Sequence, residues 1–268
     1  PEPFFEPRGT PFSEFHRIRA LTQLGHQVDL VTYPIGQDVT MPGLRVIRSL
    51  RPPFIRHVKI GPSLAKIPLD ALLTLTAFRM AFTGKYDAIH SHEEGGVIGV
   101  VLSWLRGIPH LYDMHSSLPQ QLTNFDFTGS AAARGIVRWF EKLMIRRSRV
   151  VIVICPALEV TVRETDAAAQ VVLIENAPGS AEDPASQADA DAVRARFGLS
   201  RDTPLVLYTG TFEAYQGLDL LFAAMALVKA TRPDARLLLA GGKPDQVARA
   251  QEQARAAPEP CDEILPDA

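Results

Sequence analysis

The amino-acid sequence predicts an α/β protein with two successive doubly wound parallel-sheet domains, the second of them incomplete. Three observations support this fold class. Short β-branched runs alternate with longer amphipathic patterns along most of the 268 residues, as in parallel strands joined by crossover helices. Hydrophobic residues make up 46% of the chain, which is enough for a sizeable core. Residues 179–192 contain no large apolar side chain and separate two alternating regions.

The first alternating region begins with a helix. Apolar residues recur three or four positions apart from Ser13 to Leu24, and Gly25 ends this pattern. Five strands are then expected at short β-branched runs with helices between them, at 27–32, 88–90, 109–112, 150–154 and 171–174. Because a helix precedes the first of these strands, we also expect a strand upstream of Pro1.

The second alternating region follows a linker that leads into a short helix. Strands and helices are expected in turn at 205–208, 218–231, 236–240 and 244–256, and a further strand begins at 263–265. The predicted domains are therefore 1–176 and 204–268, with 177–203 as the linker. About 65 residues cannot complete a doubly wound domain, since each crossover unit takes about 30. We expect this domain to continue past Ala268 and the 268-residue chain to be inactive alone.

Composition narrows the class of protein further. The formal net charge is −2, but the charges are unevenly distributed. Residues 1–156 contain 18 Lys and Arg against 12 acidic residues, whereas acidic residues outnumber basic ones in the rest of the chain. This distribution indicates that the basic half binds phosphate, an anionic lipid surface or an acidic substrate. The two cysteines cannot form a disulfide framework or a Cys-rich zinc site, which favours a reducing compartment. No apolar run reaches the roughly 20 residues of a transmembrane helix.

Short motifs occur in order along the predicted elements. They are Leu24-Gly25-His26-Gln27-Val28, Ala88 to His92, Leu111 to His115, Ile174 to Gly179, Leu207 to Gly210 and Gln216 to Leu221. Their order and spacing resemble those of the retaining glycosyltransferase family 4, which has the GT-B fold. The resemblance implies two Rossmann-like domains and transfer of a sugar from a nucleotide-diphosphate sugar to an acceptor held by the N-terminal domain. It implies no bound cofactor.

The resemblance also assigns roles to individual residues. His115 matches a histidine that contacts the donor sugar in the related enzymes. These enzymes need no protein nucleophile, because the leaving diphosphate can accept the proton of the acceptor hydroxyl. Gly9 matches a loop that faces the donor phosphates, and the crevice or acceptor side is expected to hold His92, Glu93 and Asp113. The donor-binding turn of the second domain is expected to include Gly210, Thr211, Gln216 and Gly217.

Two alternatives remain open from the residues. The family pattern Gly-Arg-x4-Lys-Gly places two cations at the diphosphate, whereas Thr211 and Gln216 occupy those positions here. A chain without these cations fits a non-catalytic GT-B binding protein or partner subunit. His90 and His92 form a His-x-His pair at a strand end, which is also how metal-dependent hydrolases present imidazoles to zinc.

Two basic segments account for the positive charge of the first domain. The acid-free stretch 39–69 contains Arg45, Arg48, Arg51, Arg56, Lys59 and Lys66. The second basic segment is a stripe along one face of a predicted helix, and it consists of Arg134, Arg138, Lys142 and Arg146. Trp139 is expected to be exposed beside this stripe, and Ile136, Phe140 and Leu143 face another way.

A solvated helix face would explain such a stripe. The alternative is an anionic membrane surface, with the protein in the cytoplasm at the inner face of the membrane. The acceptor would then be a glycan or lipid-linked sugar of envelope or polysaccharide synthesis. Nucleic acid is not expected as a partner, because the total charge is negative.

Overall fold

The computed structural model describes residues 3–5, 9–53, 55, 66–119, 131–176, 186–256 and 263–265. The chain divides into two compact units, Pro1–Gly179 and Ser180–Ala268. Each unit buries hydrophobic clusters of its own.

The first unit alternates helices and parallel strands. In chain order its elements are α1 (Gly9–Gln23), β1 (Val28–Thr32), β2 (Leu44–Arg48), α2 (Lys66–Thr83), β3 (Ile89–His92), a 3-10 turn (Glu93–Gly95), α3 (Gly96–Arg106), β4 (His110–Met114), α4 (Ala131–Arg147), β5 (Val150–Val153), α5 (Pro156–Thr165) and β6 (Val171–Leu173). Strands β1 and β2 form a two-stranded parallel sheet. Strands β3, β4, β5 and β6 form a second parallel sheet in that order.

The core of the larger sheet lies along β4 and β5. Tyr112, Val151 and Val153 are buried there, because a parallel strand covered by helices carries a nearly continuous run of apolar residues. Helix α3 approaches this sheet closely through two glycines. A Cβ atom on Gly99 would lie 2.2 Å from Nε2 of His110, so only glycine fits the present packing.

The second unit has the same alternation on a smaller scale. Its elements are α6 (Gln187–Arg196), β7 (Leu205–Thr209), a 3-10 turn (Ala214–Gln216), α7 (Leu218–Thr231), β8 (Arg236–Ala240), α8 (Pro244–Ala256) and β9 (Glu263–Leu265). The strands form a parallel sheet in the order β7, β8, β9. Phe222, Met225 and Leu239 lie at the centre of its hydrophobic cluster.

The structure confirms the predicted α/β class with parallel sheets. Most predicted strands agree with the observed ones to within one or two residues, and α7, α8 and β8 agree at both ends. The first helix begins at Gly9 rather than Ser13, so residues 9–11 are helical and the prediction of a loop there is wrong. Pro11 is tolerated because the N–H groups of the first helical turn have no partner within the helix.

One strand escaped prediction. β2 alternates apolar residues with arginines and was not expected as a strand, whereas α2 lies between two predicted strands, where a helix was expected without stated bounds. Among the described residues, no helix is long and apolar enough to cross a membrane. In α4, Ile136, which the sequence places on another face than the basic stripe, is 57% exposed.

Candidate functional site

The candidate site lies at the carboxyl ends of β3 and β4. These strands are parallel neighbours, and His92 is paired in register with Asp113. The ends of these strands and the turns that follow them therefore bring together four residues that the sequence predicted to share a site: His92, Glu93, Asp113 and His115. Ligands of open parallel sheets bind beyond this end of the strands.

Asp113 is the centre of the site, and its side chain is fully buried. Its Oδ2 atom forms an ion pair with Arg17 of α1 and lies 3.1 Å from Nε2 of His90. Its Oδ1 atom lies 3.2 Å from Nε2 of His115. A buried carboxylate is stable only when paired and hydrogen-bonded. Oδ2 of Asp113 meets that condition through Arg17 and His90, whereas Oδ1 has no hydrogen-bond partner within the described part of the chain.

Helix α1 supplies two charged residues that the sequence analysis missed. Glu14 and Arg17 are one turn apart, and the Oε1 atom of Glu14 lies 3.3 Å from Nδ1 of His92. The same nitrogen of His92 lies 3.4 Å from Nε2 of His115. A signal was present in the sequence, since a charged pair at three-residue spacing shares the face of α1 that buries Ile18.

Burial keeps the imidazoles of β3 neutral. It lowers the pKa of His90 to about 3, and the positive charge of Arg17 acts in the same direction. Burial likewise lowers the pKa of His92 well below its usual value, with smaller contributions from His90 and His115. The pKa of Arg17 is also lowered by burial, although nearby Glu14 opposes this shift. At neutral pH the site therefore combines one paired cation with hydrogen-bonding imidazoles.

Glu93 has an unusual backbone. Its φ of 50° lies in the left-handed region, which is uncommon for a residue other than glycine. The hydroxyl of Ser116 donates a hydrogen bond to Oε2 of Glu93 at 3.1 Å, which ties the turn after β3 to the turn after β4. Such conformations persist where the surroundings hold them and are frequent at functional sites.

The same cluster contains the candidate metal ligands. One donor atom each from His90, His92 and Asp113 lies within 4.8 Å of the others. However, the guanidinium of Arg17 contacts the Asp113 oxygen that would face such an ion. A divalent cation there would meet a fixed positive charge, so the arrangement fits an internally paired carboxylate better than a metal centre.

The predicted donor-binding residues of the second unit lie after β7. Gly210 and Gly217 both have positive φ, 153° and 71°. Between them, Nε2 of Gln216 donates a hydrogen bond to Oγ1 of Thr211 at 3.3 Å, and the hydroxyl of Tyr208 donates to the carbonyl oxygen of Thr211. Gly217 also precedes the first turn of α7. In the first unit, Gly9 is the first residue of α1. The assignment of these residues to donor binding stays a prediction.

The predicted basic surface separates into distinct environments. Arg45 forms an ion pair with Asp29. Arg48 is only 22% exposed and donates to backbone carbonyls of Phe4 and Ile35, so it stabilises the loop after β1 and is not a free surface cation.

The other members of that surface differ in accessibility. Arg51 is exposed, whereas Arg56 and Lys59 lie outside the described residues. On α4, the stripe has three exposed members and a half-buried Arg134; the exposed residues are Arg138, Lys142 and Arg146.

Comparison with known proteins decides the family. Residues 16–177 match the family described as glycosyl transferase 4-like domain. The chain belongs to this glycosyltransferase 4-like family. Residues 189–258 match a second family, described as glycosyl transferases group 1. The predicted membership of a GT-B family 4 group is thereby confirmed.

Relatives and solved structures agree with this membership. The chain is 28% identical over 222 residues to D-inositol 3-phosphate glycosyltransferase 1 of Catenulispora acidiphila, covering 78% of this chain and 50% of that protein. It is 30% identical over 200 residues to D-inositol 3-phosphate glycosyltransferase of Streptomyces scabiei, covering 68% and 43%. The chain thus spans about half the length of these relatives.

Two solved structures share the GT-B fold with this glycosyltransferase 4-like chain. Sucrose-phosphate synthase from Thermosynechococcus elongatus superimposes with a TM-score of 0.69 at 24% identity, covering 97% of this chain and 65% of that one. HepE from Anabaena, solved in complex with UDP, gives 0.63 at 17% identity and covers 100% and 68%.

Proposed function

We propose that the protein is a retaining glycosyltransferase that moves a sugar from a nucleotide-diphosphate sugar to an acceptor. The observation that carries the proposal is the placement of His115 at the end of β4, next to a buried carboxylate, in a chain of the glycosyltransferase 4-like family. The order of the family motifs along the chain adds to this support. No resident cofactor is required, because the donor brings its own leaving group.

Asp113 positions His115 in the proposed mechanism. Nε2 of His115 lies 3.2 Å from Oδ1 of Asp113 and 3.4 Å from Nδ1 of His92, so these two neighbours fix the position of the imidazole that is to meet the donor sugar. The Arg17 ion pair holds the Asp113 carboxylate in place. The leaving diphosphate takes the proton of the acceptor hydroxyl on the same face of the sugar. The contribution of the protein is then orientation and charge stabilisation rather than a covalent intermediate.

Donor binding is assigned to the glycine turn after β7. Gly210, Thr211, Gln216 and Gly217 precede α7, whose N-terminus carries about half a positive charge that favours a diphosphate. This charge is smaller than that of the Arg and Lys in the family pattern. Gly9, at the N-terminus of α1, is assigned a second contact to the donor phosphates.

Two further assignments concern the acceptor and the location of the protein. We assign the acceptor to a glycan or lipid-linked sugar of envelope or polysaccharide synthesis, and the protein to the cytoplasm at the inner face of the membrane. The exposed arginines of α4 support this assignment. The names of the curated relatives support a different acceptor, an inositol phosphate. An acceptor screen that includes both classes separates them.

The test of catalysis is substitution of His115 in the full-length protein. His115→Ala should lower turnover on the order of a hundredfold, the scale of a lost positioning or transition-state contact, with little change in thermal stability. His26→Ala is the matched control, because His26 is exposed and outside the site. Unchanged turnover in His115→Ala would contradict the proposal.

The same protein preparation tests the two alternatives. A non-catalytic binding protein would bind a nucleotide sugar without transfer or hydrolysis, a result that Thr211 and Gln216 favour. A metal-dependent hydrolase would contain about one equivalent of zinc by elemental analysis, and the metal would be lost in His90→Ala. We expect transfer and no stoichiometric zinc.

A further inference from the structure

The outer faces of α2, α3 and α4 expose many apolar side chains. α3 lies against both α2 and α4, so the three helices are side by side in the first unit. Trp104 of α3 is 78% exposed and Trp139 of α4 is 58% exposed. The same three helices expose further apolar residues: Ile67, Leu75, Phe82, Val101, Leu105 and Ile136. Exposed apolar side chains concentrated on neighbouring helices of a globular domain indicate a contact site.

The charges on these helices are almost all positive. Two Lys or Arg occur in α2, one in α3 and five in α4. The acidic residues of the three helices are Asp70 and Glu141, and both are bound inward. Asp70 accepts a hydrogen bond from the hydroxyl of Tyr33, and Glu141 accepts from the backbone N–H of Leu118 at 2.8 Å.

The cations and apolar side chains are interleaved on the same surface. The guanidinium of Arg106 in α3 lies 5.5 Å from the ring centre of Phe82 in α2. On α4, Arg138 and Lys142 are exposed beside Trp139. Aromatic and aliphatic side chains flanked by Arg and Lys are the composition of helices that lie in a membrane interface.

We propose that the outer faces of α2, α3 and α4 form a docking surface for an anionic lipid bilayer. The apolar side chains enter the headgroup region, and the surrounding cations bind lipid phosphates. The excess of cations selects this partner over a second copy of the chain, because two such faces would repel each other. The inference deepens the membrane assignment of the proposed function, on which it rests, by naming the surface.

The two tryptophans report directly on this proposal, because they are the only ones in the sequence and both lie on this surface. Tryptophan emission is measured with vesicles of phosphatidylglycerol and phosphatidylcholine, and with phosphatidylcholine alone. We expect a blue shift and quenching by brominated lipid only with the anionic vesicles, reversed by high salt. Variants Trp104→Phe and Trp139→Phe, each with one remaining tryptophan, should both show the shift.

Charge reversal supplies the matched comparison. Each basic side chain near an anionic leaflet contributes about fivefold to the partition coefficient, so Arg138→Glu with Lys142→Glu should weaken binding at least about 25-fold. Arg249→Glu with Arg255→Glu changes the same number of exposed charges on α8 and should bind as the unmodified chain does.

Several results would overturn the proposal. The first two are equal binding to neutral and anionic vesicles, and an equal loss of vesicle binding in both double variants. The third is the absence of any shift in tryptophan emission with vesicles. The fourth is a blue shift without lipid that is accompanied by dimers in sedimentation, which would indicate a second copy of the chain as the partner. Binding is measured without substrate. Failure here therefore removes the docking surface and leaves the His115 test of sugar transfer unaffected.

Discussion

His110 illustrates how a single buried residue affects stability in this protein. Its Nε2 lies 2.6 Å from Oγ of Ser91 and its Nδ1 lies 2.9 Å from Oγ of Ser148. The hydroxyl of Ser148 already donates to the carbonyl oxygen of Met144. A consistent assignment has Nδ1 of His110 donating to Ser148 and Nε2 accepting from Ser91, which requires a neutral ring.

The neutral state of His110 predicts acid sensitivity. Burial lowers the pKa of His110 to about 4, whereas the unfolded chain has a pKa near 6.5. The unfolded state therefore binds more protons below pH 6.5, and the free energy of unfolding should fall as the pH drops toward 4, by about 3 kcal/mol for this residue. Urea denaturation at several pH values measures the effect. His110→Gln should reduce that dependence, leaving the part due to His90 and His92, whose pKa values are also lowered by burial. His26→Gln, on the surface, should not reduce it; an equal slope in both variants would contradict the assignment.

At the scale of elements, the packing of α3 on the sheet depends on glycine. A Cβ atom on Gly99 would lie 2.2 Å from His110 Nε2 and 2.8 Å from Ser91 Oγ. Gly99→Ala must therefore displace β3 or β4 slightly, and overpacking of this kind typically costs about 1–3 kcal/mol, so we expect about 2 kcal/mol of destabilisation by urea denaturation.

A second helical glycine provides the control for this substitution. A Cβ atom added to Gly135 of α4 would have no neighbouring atom within 4 Å. Gly135→Ala should therefore stabilise the protein by about 0.5–1 kcal/mol, since alanine loses less backbone entropy in a helix. If both substitutions change the stability in the same direction, contact with His110 is not what requires glycine at position 99.

At the scale of the whole molecule, the two units have separate hydrophobic clusters. Phe222 is buried in the second unit, whereas Trp104 and Trp139 belong to the first. Phe222→Ala should destabilise the second unit by about 3–5 kcal/mol. We expect the urea midpoint from tryptophan fluorescence to stay constant, while circular dichroism shows an earlier transition. A matching shift of the fluorescence midpoint would show that the units unfold together.

The sequence by itself determined the alternation of elements and the family. Parallel strands covered by helices are nearly continuous apolar runs, and their crossover helices repeat every three or four residues, so both periods are visible without a structure. The strand-end residues His92, Asp113 and His115 were predictable for the same reason, because parallel strands place their carboxyl ends at one edge. The helix α7 was predicted at both ends, since Gly217 and its apolar pattern are local signals.

Only the tertiary structure decided which distant residues complete the site. Glu14 and Arg17 lie nearly a hundred residues from Asp113, and no local periodicity links a helix residue to a strand end. The same limit explains why the sequence indicated a surface cation at Arg48, although its guanidinium binds carbonyl oxygens of neighbouring loops. It also explains the joint surface of α2, α3 and α4, because the side of a helix that faces solvent depends on which neighbours pack against it.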